Sequence, residues 1–191
     1  MSSITTAPTY RFSVEEYYKL GEAGIFGEDD RVELLNGDIV IMAPIGIRHM
    51  NAVRRLLNLM VRRYGDNCLV DAQNPIVIDG QSMPQPDILL LRSTLNESRA
   101  PQPEDVLLLV EVADSSLAYD LREKRAAYAR TGIAEYWLLD LSHNQLRVFR
   151  EPGATGYGQE AIIQSGESIA PLSFPDRPIA LSEILPPASE S

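Results

Sequence analysis

Glu111 stands inside an otherwise apolar run, Leu107-Leu-Leu-Val-Glu-Val-Ala113. An unpaired carboxylate in such a run costs several kcal/mol or takes up a proton. It needs a partner, and the choice lies between an arginine and a metal cation. Period-two alternation places Leu107, Leu109, Glu111 and Ala113 on one face of a strand. Asp87 opens a neighbouring apolar run directly after Pro86. If the two runs pair, their backbones lie about 4.8 Å apart, and both carboxylates converge on one point. A hard divalent ion, Mg²⁺ or in its place Mn²⁺, is held by one or two carboxylates together with water and substrate phosphate. Lys124 is the third group. The chain has fifteen arginines and only two lysines, Lys19 and Lys124. One reading makes Lys124 the i,i+4 partner of Asp120, worth about 0.3–0.5 kcal/mol, whose loss costs under about 1 kcal/mol as a surface pair. The other makes it an ammonium that orients an attacking water beside the metal.

These groups need elements to hold them. Ser13-Val-Glu-Glu16 is a capping box that opens a short N-terminal helix. Arg31–Leu35 and Asp38–Met42 flank Asn36-Gly37, a two-residue hairpin turn. Ile47–Tyr64 reads as a helix with Met50, Val53, Leu57, Met60 and Tyr64 as its apolar stripe. Cys68–Ala72 and Pro75–Ile78 are short strand candidates. Asp87–Leu91 and Val106–Ala113 are continuous apolar runs, as expected of strands buried on both faces. Arg92–Asp105 is loop, and Ser116–Thr131 is a second helix stopped by Gly132. Tyr136–Leu141 and Gln145–Phe149 form a closing hairpin. Beyond Pro152 the chain is rich in Gly and Pro, with one strand candidate at Ala161–Gln164 and a frayed tail at Pro186–Ser191. The order is helix, three strands, helix, strand: an α/β fold with helices flanking a mixed sheet.

Length and composition bound the function. With 191 residues, 45% hydrophobic and 23% charged, the chain is expected to be one domain over 1–191 with its core at about 31–150. No apolar run approaches the roughly 20 residues of a membrane span. Met1–Tyr10 lacks both a basic and an apolar segment, so no secretory leader is expected and the cytoplasm is the default. The single cysteine, Cys68, offers neither an intrachain disulfide nor a zinc cluster. The net charge of −10 argues against nucleic acid until its distribution is considered. Residues 1–40 and 151–191 each carry net −5, which leaves the middle of the chain balanced. Within that middle, Pro44–Tyr64 holds five arginines and no acid. Arg48, Arg55 and Arg62 recur every seven residues, about 10.5 Å apart along a helix. This stripe is either a solvated face or a track for DNA phosphates.

The string Glu111-Val-Ala-Asp-Ser-Ser-Leu-Ala-Tyr-Asp120, with Lys124, Tyr128, Gly132 and Glu135-Tyr-Trp-Leu-Leu-Asp140, resembles the Uma-two family of restriction-endonuclease-like proteins. So do Arg31-Val-Glu-Leu-Leu-Asn-Gly-Asp38, His49 at the start of the first long helix, and Pro86-Asp87. The family falls in the PD-(D/E)XK nuclease superfamily. The resemblance implies a restriction-endonuclease-like core, with the N-terminal helix and β-hairpin added to it. It further implies a metal-dependent endonuclease acting on DNA, Mg²⁺ held by Asp87, Glu111 and the Val112 carbonyl, and a homodimer. The superfamily's lysine falls here on Ala113, so the resemblance assigns that role to Lys124. Ile47–Tyr64 also lacks the carboxylate that many relatives carry on the first core helix. Glu33 and His49 are the substitutes available. Against those roles, Glu33 also reads as a surface charge on a hairpin and His49 as a satisfied core or cap histidine. The competing class is a non-catalytic binding or assembly module that retains the nuclease fold.

Overall fold

The computed structural model describes residues 8–27, 29–96 and 98–185. The leader reading for Met1–Tyr10 lies largely outside them, and the tail reading for Pro186–Ser191 entirely so. Ser13 and Glu16 form the expected reciprocal cap on α1 (Val14–Glu22). β1 (Val32–Leu35) and β2 (Asp38–Ile41) pair antiparallel, with Leu35 opposite Asp38. Asn36 and Gly37 between them have φ of 52° and 78°, the left-handed pair that a two-residue turn requires.

The core follows in the expected order. α2 (Ile47–Tyr64) precedes β3 (Leu69–Asp71), β4 (Ile88–Leu91) and β5 (Val106–Ala113). The second helix is divided into α3 (Leu117–Tyr119), a π-helical turn (Asp120–Lys124) and α4 (Arg125–Arg130). It ends where Gly132 adopts a φ of +84° and the Ile133 N–H reaches back to the Tyr128 carbonyl. β6 (Glu135–Asp140), β7 (Gln145–Gly153) and β8 (Gly156–Ile163) complete a six-stranded sheet in the order β3-β4-β5-β6-β7-β8. Only β5 and β6 are parallel, and the divided helix is their crossover. Two layers of side chains pack on this sheet. Leu108, Val110 and Val112 face α2 with Leu56 and Met60, while Leu109 and Ala113 face α4 with Tyr128 and Tyr136. A short pair, β9 (Ser168–Ile169) and β10 (Ile179–Ala180), leads into α5 (Leu181–Ile184). α5 is tied to α2 by the Arg63–Glu183 ion pair at 2.7 Å. Among the described residues no helix is long and apolar enough to cross a membrane.

Four details depart from the sequence reading. Met50 is 42% exposed; the buried face of α2 is Ala52, Val53, Leu56, Leu59, Met60 and Tyr64. Leu107 leaves the Glu111 face because the β4–β5 register slips between Leu90 and Leu91, and it packs with the α2 layer instead. Pro75–Ile78 is extended but forms no strand. Ile76 and Ile78 are buried, yet their N–H groups bond to the carbonyls of Pro84 and Ser82. Pro84 and Pro86 in the facing segment lack the donors to continue a ladder. Finally, β7 runs through Pro152 into a second hairpin with β8, where a proline near the strand's end breaks no central ladder.

Candidate active site

Asp87 immediately precedes β4. The register there sets Ile88 opposite Val110 and Leu89 opposite Leu109, so its continuation carries Asp87 towards Glu111. The Val112 N–H donates to Asp87 Oδ2 at 2.8 Å. His49 Nε2, from the first turn of α2, lies 3.1 Å from the same oxygen, and Gln73 Nε2 donates to Oδ1 at 3.3 Å. The N–H and C=O of one extended residue point to the same edge of its strand. The Val112 carbonyl therefore opens on the Asp87 side as well.

Glu111 faces the divided helix and is only 4% exposed. Its Oε1 accepts from Lys124 Nζ at 3.0 Å and from the Tyr128 hydroxyl at 2.7 Å. Lys124 and Tyr128 stand one turn apart, so both reach a single acceptor. The Lys124 ammonium also lies 3.1 Å from Glu33 Oε2, which accepts the Gln85 N–H at 3.2 Å. The surface-pair reading of Lys124 with Asp120 is thereby corrected. Lys124 is 4% exposed and its partners are on β5 and β1, while Asp120 accepts the Ser116 hydroxyl. Glu33 is likewise no surface charge: it is 2% exposed. The hairpin folds over the sheet and turns that side of β1 inward.

The electrostatics follow from several acids sharing one ammonium. Burial pushes the Glu111 carboxyl up to about 8, with Lys124 pulling against it. Asp120 is pushed up to about 6 for the same reason, again against Lys124. Burial works against the Lys124 charge, but Glu111, Glu33 and Asp120 outweigh it and hold the ammonium well above its ordinary range. Burial also pulls the His49 imidazole down, and the Asp87 hydrogen bond and charge more than reverse this, leaving it raised. Burial, then the Glu111 charge, holds the Tyr128 phenol neutral.

These groups open on one cleft of about 460 Å³, whose lining includes Arg31, Glu33, His49, Asp87, Glu111 and Lys124. Among the described residues no three His, Cys, Asp or Glu side chains gather into a ready metal cage. Two carboxylates and a strand carbonyl, all oxygen, are a donor set for a hard cation that keeps part of its water. The arginine stripe is mostly apart from the cleft. The Arg48 guanidinium donates to the Leu141 carbonyl and to Asn144. Arg55 and Arg62 are exposed, and Arg62 is about 20 Å along the helix from His49 at 1.5 Å per residue.

The family model Uma2, described as "Putative restriction endonuclease", matches residues 14–182. The chain belongs to the Uma2 family. Among solved structures it is similar to a protein described as a putative nuclease belonging to DUF820, from Anabaena variabilis ATCC 29413. That likeness has a TM-score of 0.71 at 12% identity and covers 91% of this chain and 97% of the other, which establishes the fold. No protein of curated function matches. Three partners in this Uma2 site were given no role from the sequence, Tyr128 entering only as part of the string that carries the resemblance. Tyr128 had a signal, its place four residues after Lys124 on one helix face. Gln73 and Gln85 had none, because loop geometry alone brings them in.

Proposed function

We propose that this Uma2 protein is a metal-dependent nuclease that hydrolyses DNA phosphodiester bonds. The observation that carries the reading is that Asp87 and Glu111, set opposite each other by the β4–β5 register, line one cleft, with a buried lysine on Glu111. Asp87, Glu111 and the Val112 carbonyl would hold Mg²⁺ or Mn²⁺. When bound, such an ion polarises the phosphate and lowers the pKa of its water. Lys124, fixed between Glu111 and Glu33, keeps its ammonium at the cleft, where it can orient a water for attack. Glu33 takes the place of the acid missing from α2 by holding that ammonium. His49 bears on Asp87 Oδ2 and fixes the carboxylate's direction.

DNA would approach over the N-terminal end of α2, with Arg48 nearest the cleft and Arg55 and Arg62 reaching phosphates farther along one strand. About three such contacts give weak, salt-sensitive binding with a log–log slope near −3. Cutting both strands of a duplex asks for two sites, so the working unit is proposed to be a homodimer, acting in the cytoplasm. Calorimetric titration of Mg²⁺ and Mn²⁺ separates this from a non-catalytic module that keeps the fold. Binding lost in both Asp87→Ala and Glu111→Ala is expected, and no binding at millimolar metal favours the module.

A further inference from the structure

Tyr119 closes α3 immediately before the π-helical turn that carries Asp120 and Lys124 inward. Its side chain lines the same cleft as Glu33, Glu111 and Lys124. Its hydroxyl is buried and has no hydrogen-bond partner among the described residues. Tyr128, one helical stretch on, differs: its hydroxyl is occupied by Glu111. A buried hydroxyl without a partner weakens a fold, and π-helical turns gather at functional sites. Because Tyr119 is part of the cleft wall, a molecule entering the cleft can supply the partner that the described residues do not.

We propose that Tyr119 is a substrate-contacting residue that donates its hydroxyl to a non-bridging oxygen of a phosphodiester seated in the cleft. The inference rests on the nuclease reading and extends it to a residue with no partner of its own. A phosphodiester oxygen only accepts hydrogen bonds, and a phenol supplies a donor without a further charge to desolvate. Burial, followed by the Glu33 charge, holds this phenol well above its ordinary range, so the donor persists at neutral and mildly alkaline pH. Among the described residues that line this cleft, the Tyr119 hydroxyl and His49 Nδ1 are the buried side-chain atoms without a hydrogen-bond partner, and of the two Tyr119 is the one adjoining the turn that carries Lys124.

The test compares Tyr119→Phe with Tyr136→Phe. Tyr136 also carries a buried hydroxyl without a partner, but it sits in the core beside Phe149 and does not line the cleft. Binding of a 16-nucleotide DNA is read by fluorescence anisotropy with Ca²⁺ in place of Mg²⁺. A lost hydrogen bond to an anion weakens binding about tenfold or more. Tyr119→Phe should melt at or above the wild-type temperature and bind at least tenfold more weakly, while Tyr136→Phe binds like the wild type. Affinity within twofold of wild type in Tyr119→Phe overturns the inference, as does a marked fall in its melting temperature. If the wild type binds no DNA at all, the nuclease reading fails, and thermal shift with inorganic phosphate decides for Tyr119. Stabilisation present in the wild type and lost in Tyr119→Phe keeps the residue as an anion contact. Equal shifts, or none, remove it.

Discussion

Replacing Lys124 by Met removes the one ammonium between Glu33 and Glu111, which lie 3.1 and 3.0 Å from it. All three side chains are at most 5% exposed, so solvent cannot compensate. Deleting one partner of a buried pair costs about 3–5 kcal/mol. For a chain of this length that lowers the melting temperature by roughly 10 °C, at 2–4 °C per kcal/mol. The loss depends on pH, and its sign is fixed. The wild type keeps the Glu111 proton up to about pH 8; without the pull of the ammonium, the folded variant keeps it to higher pH still, while the unfolded chain has released it. Each proton held by the folded chain alone lowers stability by about 1.4 kcal/mol per pH unit as pH rises. The deficit of Lys124→Met should therefore be larger at pH 9 than at pH 7, where both proteins still hold the Glu111 proton. Urea unfolding of both proteins at the two pH values measures it. Equal stabilities at pH 9, or a deficit that does not grow from pH 7 to pH 9, would refute the buried-pair account.

Glu111→Gln keeps an oxygen for Lys124 and Tyr128 but removes a carboxyl that burial has pushed up to about 8. The wild type holds that proton between the unfolded carboxyl range and about pH 8 and loses stability over this window. The variant's unfolding curve should thus be flatter by about 1.4 kcal/mol per unit from pH 5 to 8; parallel curves would contradict the shift. Arg55→Gln combined with Arg62→Gln should flatten the salt dependence of DNA binding by about 2 in log–log slope, measured by anisotropy from 50 to 200 mM salt. An unchanged slope means that this face of α2 is only solvated. Glu135 is fully buried and accepts from Trp137, from two nitrogens of Arg150 and from the Leu172 N–H. Glu135→Gln should cost about 3–5 kcal/mol by chemical denaturation and leave divalent affinity unchanged; a loss under 1 kcal/mol would deny it this anchoring role.

The strand order and the positions of Asp87, Glu111 and Lys124 were legible because each contradicts its surroundings: a charge in an apolar run, or a lysine in an arginine-rich chain. Local rules also carried the Ser13 cap, the Asn36-Gly37 turn and the Gly132 stop, which short-range geometry decides. What stayed hidden depends on tertiary placement. Alternation along β1 puts Glu33 opposite Val32 and Leu34, but cannot say that the hairpin folds its Glu33 side onto Lys124. Seven-residue spacing finds the arginine stripe on α2, but not its distance from the cleft. The π-helical turn has no periodic signature in five residues, so the second helix reads as unbroken. Asp120 and Lys124 then pass for a surface pair rather than two groups turned into one pocket. Pro84 and Pro86, by contrast, already carry in sequence the reason that Pro75–Ile78 forms no strand.

Asp87 and Glu111 are proposed to make this Uma2 fold a metal-dependent nuclease. The most direct test incubates purified protein with supercoiled plasmid, linear duplex and single-stranded DNA, with Mg²⁺, with Mn²⁺ and with chelator. Divalent-dependent cleavage of at least one substrate, abolished by chelator and in folded Asp87→Ala and Glu111→Ala, is the predicted result. No cleavage of any substrate with either metal, or cleavage that persists in both variants, would contradict it.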